Sequence, residues 1–254
     1  MESLTAALLA GMRLSQRYGA TVALHETTIE VERGQILAVV GPNGCGKSTL
    51  LRALAGLAHG EGAGGFSLFS SKVPSREHRA KVMAFVPQRP DLAADFTARE
   101  VVQLGRFARG ADEYAVGDAL RAVGLRVRSE LPMRVLSGGE RQRVAVARAL
   151  AQIDGADPCV LLLDEPFSGI DPGEVSRIVG TLRAIAERGA VVLSLHDPGL
   201  ARAIATHAAV MGGGRIVAHG TAREVLVPET LTKAYGHPID EVAGWLAPRI
   251  DPSR

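Results

Sequence analysis

The chain has 254 residues, 46% hydrophobic and 22% charged, with a formal net charge of +2. That length buries a full core, the composition is that of an ordinary folded domain, and the scattered arginines leave no footprint for nucleic acid. No apolar run reaches the ~18 residues a membrane-spanning helix needs, and the apolar stretch at residues 4–9 follows Glu2 and lacks the basic lead of a signal peptide. Cys45 and Cys159 do not read as a stapling pair, so the expected compartment is reducing.

Residues 13–31 alternate loosely and predict antiparallel strands around a turn at Gly19. Tyr18 reads either as a face for stacking on adenine or as a strand residue packed on the sheet. Residues 36–40 are a short apolar run, the pattern of a buried parallel strand. Gly41-Pro42-Asn43-Gly44-Cys45-Gly46-Lys47-Ser48-Thr49 follows, and then Leu50, Leu51, Leu54 and Leu57 at helical spacing over residues 48–57. Strand, glycine loop and helix together aim backbone N–H groups and a helix N-terminus at phosphate oxygens. Lys47 is placed to reach β- and γ-phosphates, and the Ser48 hydroxyl to meet Mg²⁺. A chance glycine-rich turn would lack the flanking strand and helix, so the segment predicts a nucleoside triphosphate site.

Residues 59–65 read as a glycine-rich link, flexible or tightly turned, before a strand at 66–69. A short charged helix at 76–81 and an apolar strand at 82–86 lead to Pro87-Gln88. The pattern then turns helical. Thr97 and Glu100 form a capping box opening a helix at 101–107, a second helix runs over 112–123, and Ser137-Gly138-Gly139-Glu140 opens a third at 141–152. Nothing here alternates, so this is an all-helical insertion: one domain over 1–254, with core parts at 1–87 and 156–254 and a helical part at 88–155.

Residues 160–163 are a buried strand closed by Asp164-Glu165-Pro166. Asp171-Pro172 supplies an N-cap and a first-turn proline for a helix that stops at Gly189. A strand at 190–195 ends in His196-Asp197-Pro198, followed by a helix at 199–206, a hairpin of 208–211 with 215–218, and closing helices at 221–224 and 228–235. Repeated strand–helix units argue for a largely parallel sheet.

Asp164 and Glu165 sit at the carboxyl end of an apolar strand, where open α/β sheets bind ligands. Asp164 would hold Mg²⁺ and Glu165 would orient and deprotonate the attacking water. Ser137 to Glu140 is an ordinary capping box, but the two glycines weaken a first turn by up to ~1 kcal/mol each and are not needed for a cap. They make sense where something approaches the backbone closely, and a bare helix N-terminus is an anion site. Gln88 could touch Mg²⁺ or water without adding charge, and His196 could donate to a γ-phosphate.

As a set these residues resemble the ATP-binding-cassette (ABC) ATPases over nearly the whole chain. Gly41 to Thr49 looks like their Walker A, Val160 to Glu165 like their Walker B, and Leu136-Ser137-Gly138-Gly139-Glu140 matches their signature. Gln88 falls at the Q-loop, Ser168-Gly169-Ile170-Asp171 at the D-loop, His196 at the switch histidine and Tyr18 at the adenine-stacking aromatic. Phe167, Gly169-Ile170 and Cys45 depart from the usual residues without removing a phosphate or metal ligand. The resemblance implies a P-loop NTPase fold with a RecA-like, mostly parallel core sheet, an antiparallel N-terminal β part and an inserted helical part. It implies ATP bound by Tyr18, Gly41 to Thr49, Gln88, Ser137 to Glu140 and Asp171, with Mg²⁺ at Ser48, Gln88 and Asp164. Catalysis falls to Lys47, Glu165 and His196.

One Walker A and one signature cannot complete two sites, so the resemblance also implies an ATP-dependent head-to-tail homodimer. Residues 96–106 and the tail from 214 to 236 resemble ATPases that import iron-siderophores, haem or cobalamin through a separate membrane permease and a substrate-binding protein. Such a subunit is cytoplasmic and peripheral on the inner face of the cell membrane, with no nucleic acid partner. The permease contact is expected between Gln88 and Arg106. Zinc and manganese import ATPases share much of this pattern; a DNA-repair or translation cassette and a non-catalytic scaffold fit it less well.

Overall fold

The computed structural model describes residues 7–69, 75–90, 95–242 and 245–248. Residues 1–6, with half of the apolar stretch at 4–9, lie outside them. Among the described residues no helix is long and apolar enough to cross a membrane.

The centre is a six-stranded sheet made of β3 (Ile36–Val40), β5 (Met83–Val86), β6 (Cys159–Asp164), β7 (Gly189–Leu195), β8 (His207–Gly212) and β9 (Arg215–Thr221). Its order is β5-β6-β7-β3-β8-β9, parallel except for the β8–β9 hairpin. Every residue of β3, β6 and β7 is buried, because helices or a second sheet cover both faces of a parallel sheet. Alternation divides the faces. Ile36, Ala38 and Val40 join one core, while Leu37 and Val39 pack with Leu50, Leu51 and Leu54 of α1 (Lys47–Leu54) in another.

The second core also holds an antiparallel sheet, ordered β2-β1-β4, of β1 (Leu9–Tyr18), β2 (Thr21–Val31) and β4 (Glu61–Leu68). Beyond β5, α2 (Arg76–Val82) having preceded it, the chain builds α3 (Ala98–Leu104), α4 (Glu113–Ala122) and α5 (Gly138–Ile153). Thr97 caps α3 with both halves of the predicted box: its N–H donates to Glu100 Oε2 at 2.7 Å and its hydroxyl accepts from Glu100 N at 3.2 Å. Val101, Val116, Leu120, Val144 and Ala147 are buried where these helices meet. The remaining elements are α6 (Pro172–Arg188), α7 (Pro198–Ile204), α8 (Ala222–Val225), α9 (Pro228–Tyr235) and a hairpin of β10 (Ile239–Val242) with β11 (Trp245–Pro248).

Three expectations are corrected. The glycine-rich link at 59–65 belongs from Glu61 onward to β4, because β1 offers it a ladder that runs from Arg17↔Glu61 to Leu9↔Leu68. The first helix stops at Leu54, so Leu57 leaves the helical face and is 40% exposed. The β10–β11 hairpin follows a helix after which no further strand is read from the sequence.

Candidate nucleotide site

The site gathers at the carboxyl ends of four consecutive strands of the central sheet, β5, β6, β7 and β3. Val40 ends β3, and the loop behind it is closed against β2 at Gly46, whose φ is +101°. A Cβ there would lie 2.4 Å from the Ala23 carbonyl, so this turn accepts only glycine. Lys47 is buried, and its Nζ donates to the carbonyls of Gly41 at 2.8 Å and Pro42 at 3.1 Å. An ammonium has three donors, and these two bonds go to neutral acceptors. With no described carboxylate in ion-pair range, the loop keeps its positive charge for an anion.

A cavity of about 380 Å³ lies over this loop, lined by Asn43, Gly44, Gly46, Lys47, Ser48 and Thr49 and, from the neighbouring strand ends, Gln88, Glu165 and His196. Asp164 is fully buried, with Oδ1 accepting from the Ser194 hydroxyl at 2.6 Å and Oδ2 lacking any partner. Glu165 is nearly buried and has φ +50°. A non-glycine residue there costs about 1–2 kcal/mol, a strain concentrated at the candidate base. Its Oε2 accepts from Gln88 Nε2 at 2.5 Å and lies 2.5 Å from His196 Nε2. Thus Lys47, Ser48, Thr49, Gln88, Glu165 and His196 share one cavity.

The helix tip at Ser137 lies elsewhere. Ser137 Oγ accepts from Glu140 N at 3.2 Å, and Glu140 Oε2 accepts from Ser137 N at 2.8 Å. Burial alone would push the Glu140 carboxyl up. The Ser137 hydrogen bonds, with Arg128 and Arg143 nearby, outweigh it and hold the carboxyl below the ordinary range. The two glycines differ. A Cβ on Gly139 would sit 2.2 Å from the Gly169 carbonyl, whereas Gly138 faces open space. The close approach the sequence called for is therefore met at Gly139 by the chain's own 168–171 loop. Gly138, Gly139, Gln142, Ser168 and Gly169 line a second cavity of about 390 Å³, and Gln88 borders both cavities.

Residues 24–168 match the ABC transporter family model. This chain belongs to the ABC transporter family. The cassette is an ATPase subunit of that family. It is 37% identical over 238 residues to the hemin import ATP-binding protein HmuV of Agrobacterium fabrum, covering 90% of each chain. It is 40% identical over 239 residues to the protein of the same name from Pseudomonas fluorescens, covering 90% of this chain and 92% of that one. Among solved structures it superposes with a TM-score of 0.78 on a metal-chelate type ABC transporter in an inward-facing conformation, at 25% identity, covering 98% of this chain and all of the other.

Other expected positions of the cassette fall outside the phosphate cavity. Tyr18 ends β1, 42% exposed, and is not among the residues lining it. Asp171 stands at the N-cap of α6, but its side chain makes no capping bond; its backbone carbonyl accepts from Glu174 N at 3.0 Å. The sequence reading missed Ser194, which accepts from Glu165 N at 2.9 Å while donating to Asp164. A single hydroxyl inside the apolar run 191–195 was its signal. The unpartnered, buried Asp164 Oδ2, one residue before the Glu165 that shares a cavity with Ser48 and Gln88, suits a hard divalent cation with oxygen ligands.

Proposed function

We propose that this cassette hydrolyses ATP to drive import of a metal chelate, of the iron-siderophore, haem or cobalamin type, through a separate membrane permease. The observation that carries the catalytic half is Glu165 held between Gln88 and His196 at the mouth of a cavity floored by a buried lysine. The transport half rests on likeness, over nearly the whole chain, to the HmuV proteins and to the metal-chelate type transporter.

Mechanistically, the loop amides of 41–49 and Lys47 cradle the β- and γ-phosphates, with Tyr18 offered to the adenine. Ser48, Gln88 and Asp164 Oδ2 would hold Mg²⁺, which neutralises charge on the phosphates. Glu165 takes a proton from the attacking water, and Oε1 is the oxygen free of the Gln88 and His196 bonds. His196 Nε2 donates toward the γ-phosphate as charge develops there. Ser137, Gly138, Gly139 and Glu140 lie outside the phosphate cavity of their own chain, and Asp171 with them. They serve the ATP of a second copy, turned head to tail, so that two sites close together.

We infer that the permease contact lies at a cavity of about 260 Å³ lined by Leu57, Arg76, Arg79, Met83, Phe85 and Gln152. None of these residues falls between Gln88 and Arg106, where the contact was expected. In this reading a short permease helix seats there, a substrate-binding protein delivers the chelate from outside, and the cassette works on the inner, cytoplasmic face of the cell membrane. No nucleic acid takes part.

The test is steady-state ATPase activity together with co-purification from membranes. Glu165→Gln should lose turnover by at least about 10²-fold and form a dimer in ATP. Recovery of ribosomal or DNA-repair partners in place of a permease would sink the transport reading.

A further inference from the structure

His196 is the first residue after β7. The parallel ladder from β3 ends at Val40↔Leu195, so the backbone of His196 lies beyond the sheet. The next residue belongs to a helix start: the Asp197 side chain caps α7, accepting from Gly199 N at 2.7 Å and Leu200 N at 3.1 Å. One peptide therefore joins a rigid strand to a capped helix, and its carbonyl orients the residue that touches Glu165.

That carbonyl is met from the far end of the chain. Tyr235, the last residue of α9, donates its hydroxyl to His196 O at 3.3 Å. Leu231, fully buried, seats α9 in the main core, and Thr232 Oγ1 accepts from Ile239 N at 2.9 Å. Beyond it, Glu241 pairs with Arg202 of α7 at 3.0 Å. The tail thus grips the histidine's peptide and the helix after it. Burial, with Cys45 and Asp197 nearby, pushes the Tyr235 phenol up to about 12, so the hydroxyl stays a donor at any assay pH.

We propose that Tyr235 is a positioning residue for ATP hydrolysis, its hydroxyl fixing the His196 peptide and so the direction in which the imidazole points. This rests on the ATPase reading above. His196 is exposed, so without the phenol water can solvate its carbonyl. The fold then loses little while the ring loses its aim.

Tyr235→Phe keeps the ring and removes only the hydroxyl. Its kcat for ATP should fall about three- to tenfold with KM within about twofold, as expected for lost alignment. Its melting midpoint should stay within about 2 °C of the parent. The imidazole resonance of His196, assigned by its loss in His196→Gln, should shift in the variant. A kcat within about 1.5-fold of the parent, or an unmoved imidazole resonance, overturns the inference. A parent chain that hydrolyses no ATP would instead remove the ATPase reading, and the resonance would still report on the hydroxyl.

Discussion

Ser194 joins Asp164 to Glu165: its hydroxyl donates to Asp164 Oδ1 at 2.6 Å and accepts from the Glu165 amide at 2.9 Å. The pairing Asp164↔Ser194 in the β6–β7 ladder makes this possible, because it puts the serine level with the last strand residue. One carboxylate oxygen is thereby engaged, and the other is buried without a partner.

Ser194→Ala should lower stability by about 1–3 kcal/mol, since two buried polar groups lose their shared partner. It should also raise the Mg²⁺ concentration needed for half-maximal turnover, because Asp164 is then free to rotate. Urea denaturation and a Mg²⁺ titration of ATPase rate check the two effects separately. An unchanged titration would deny Ser194 any part in setting the metal-facing oxygen.

The two glycines of the α5 tip should part company. Gly139→Ala pushes a methyl into the Gly169 carbonyl and should cost about 1–3 kcal/mol. Gly138→Ala meets nothing and should match the parent or exceed its stability by up to about 1 kcal/mol. Equal stabilities for the two variants would contradict the contact between this tip and the 168–171 loop.

Acid should dissolve the α5 cap. The folded Glu140 carboxyl lies below its ordinary 4.5, so its contribution is fully present above that value and is lost as pH falls through the folded one. The stability gap between the parent and Glu140→Gln should therefore be constant above about pH 5.5 and close on acidification. Denaturation midpoints at stepped pH will show it; a gap that persists at pH 2 would assign the loss to packing.

Where a signal was local, the sequence carried it. The phosphate loop between a buried strand and α1, the capping boxes at Thr97 and Ser137, and the acids closing β6 each declare themselves within ten residues. What depended on distant partners did not. Glu61 to Gly65 looked like a link because only β1, more than forty residues earlier, makes them a strand. Ser194 gains its meaning from a register with Asp164, thirty residues away. Tyr235 read as the end of a closing helix, and nothing near it in sequence points to His196. Glu165 could be singled out from its neighbours, but its left-handed backbone, its Gln88 donor and its contact with His196 could not.

The helices between β5 and β6 leave and rejoin the central sheet at adjacent strands. Their two covalent tethers therefore stand side by side, like the leaves of a door on one post. Gln88 lies on the first tether, while Asp164 ends and Glu165 follows the strand that receives the second. The amide that touches Glu165 therefore sits on a tether itself, whereas the phosphate loop follows a strand two places beyond β6 in the sheet.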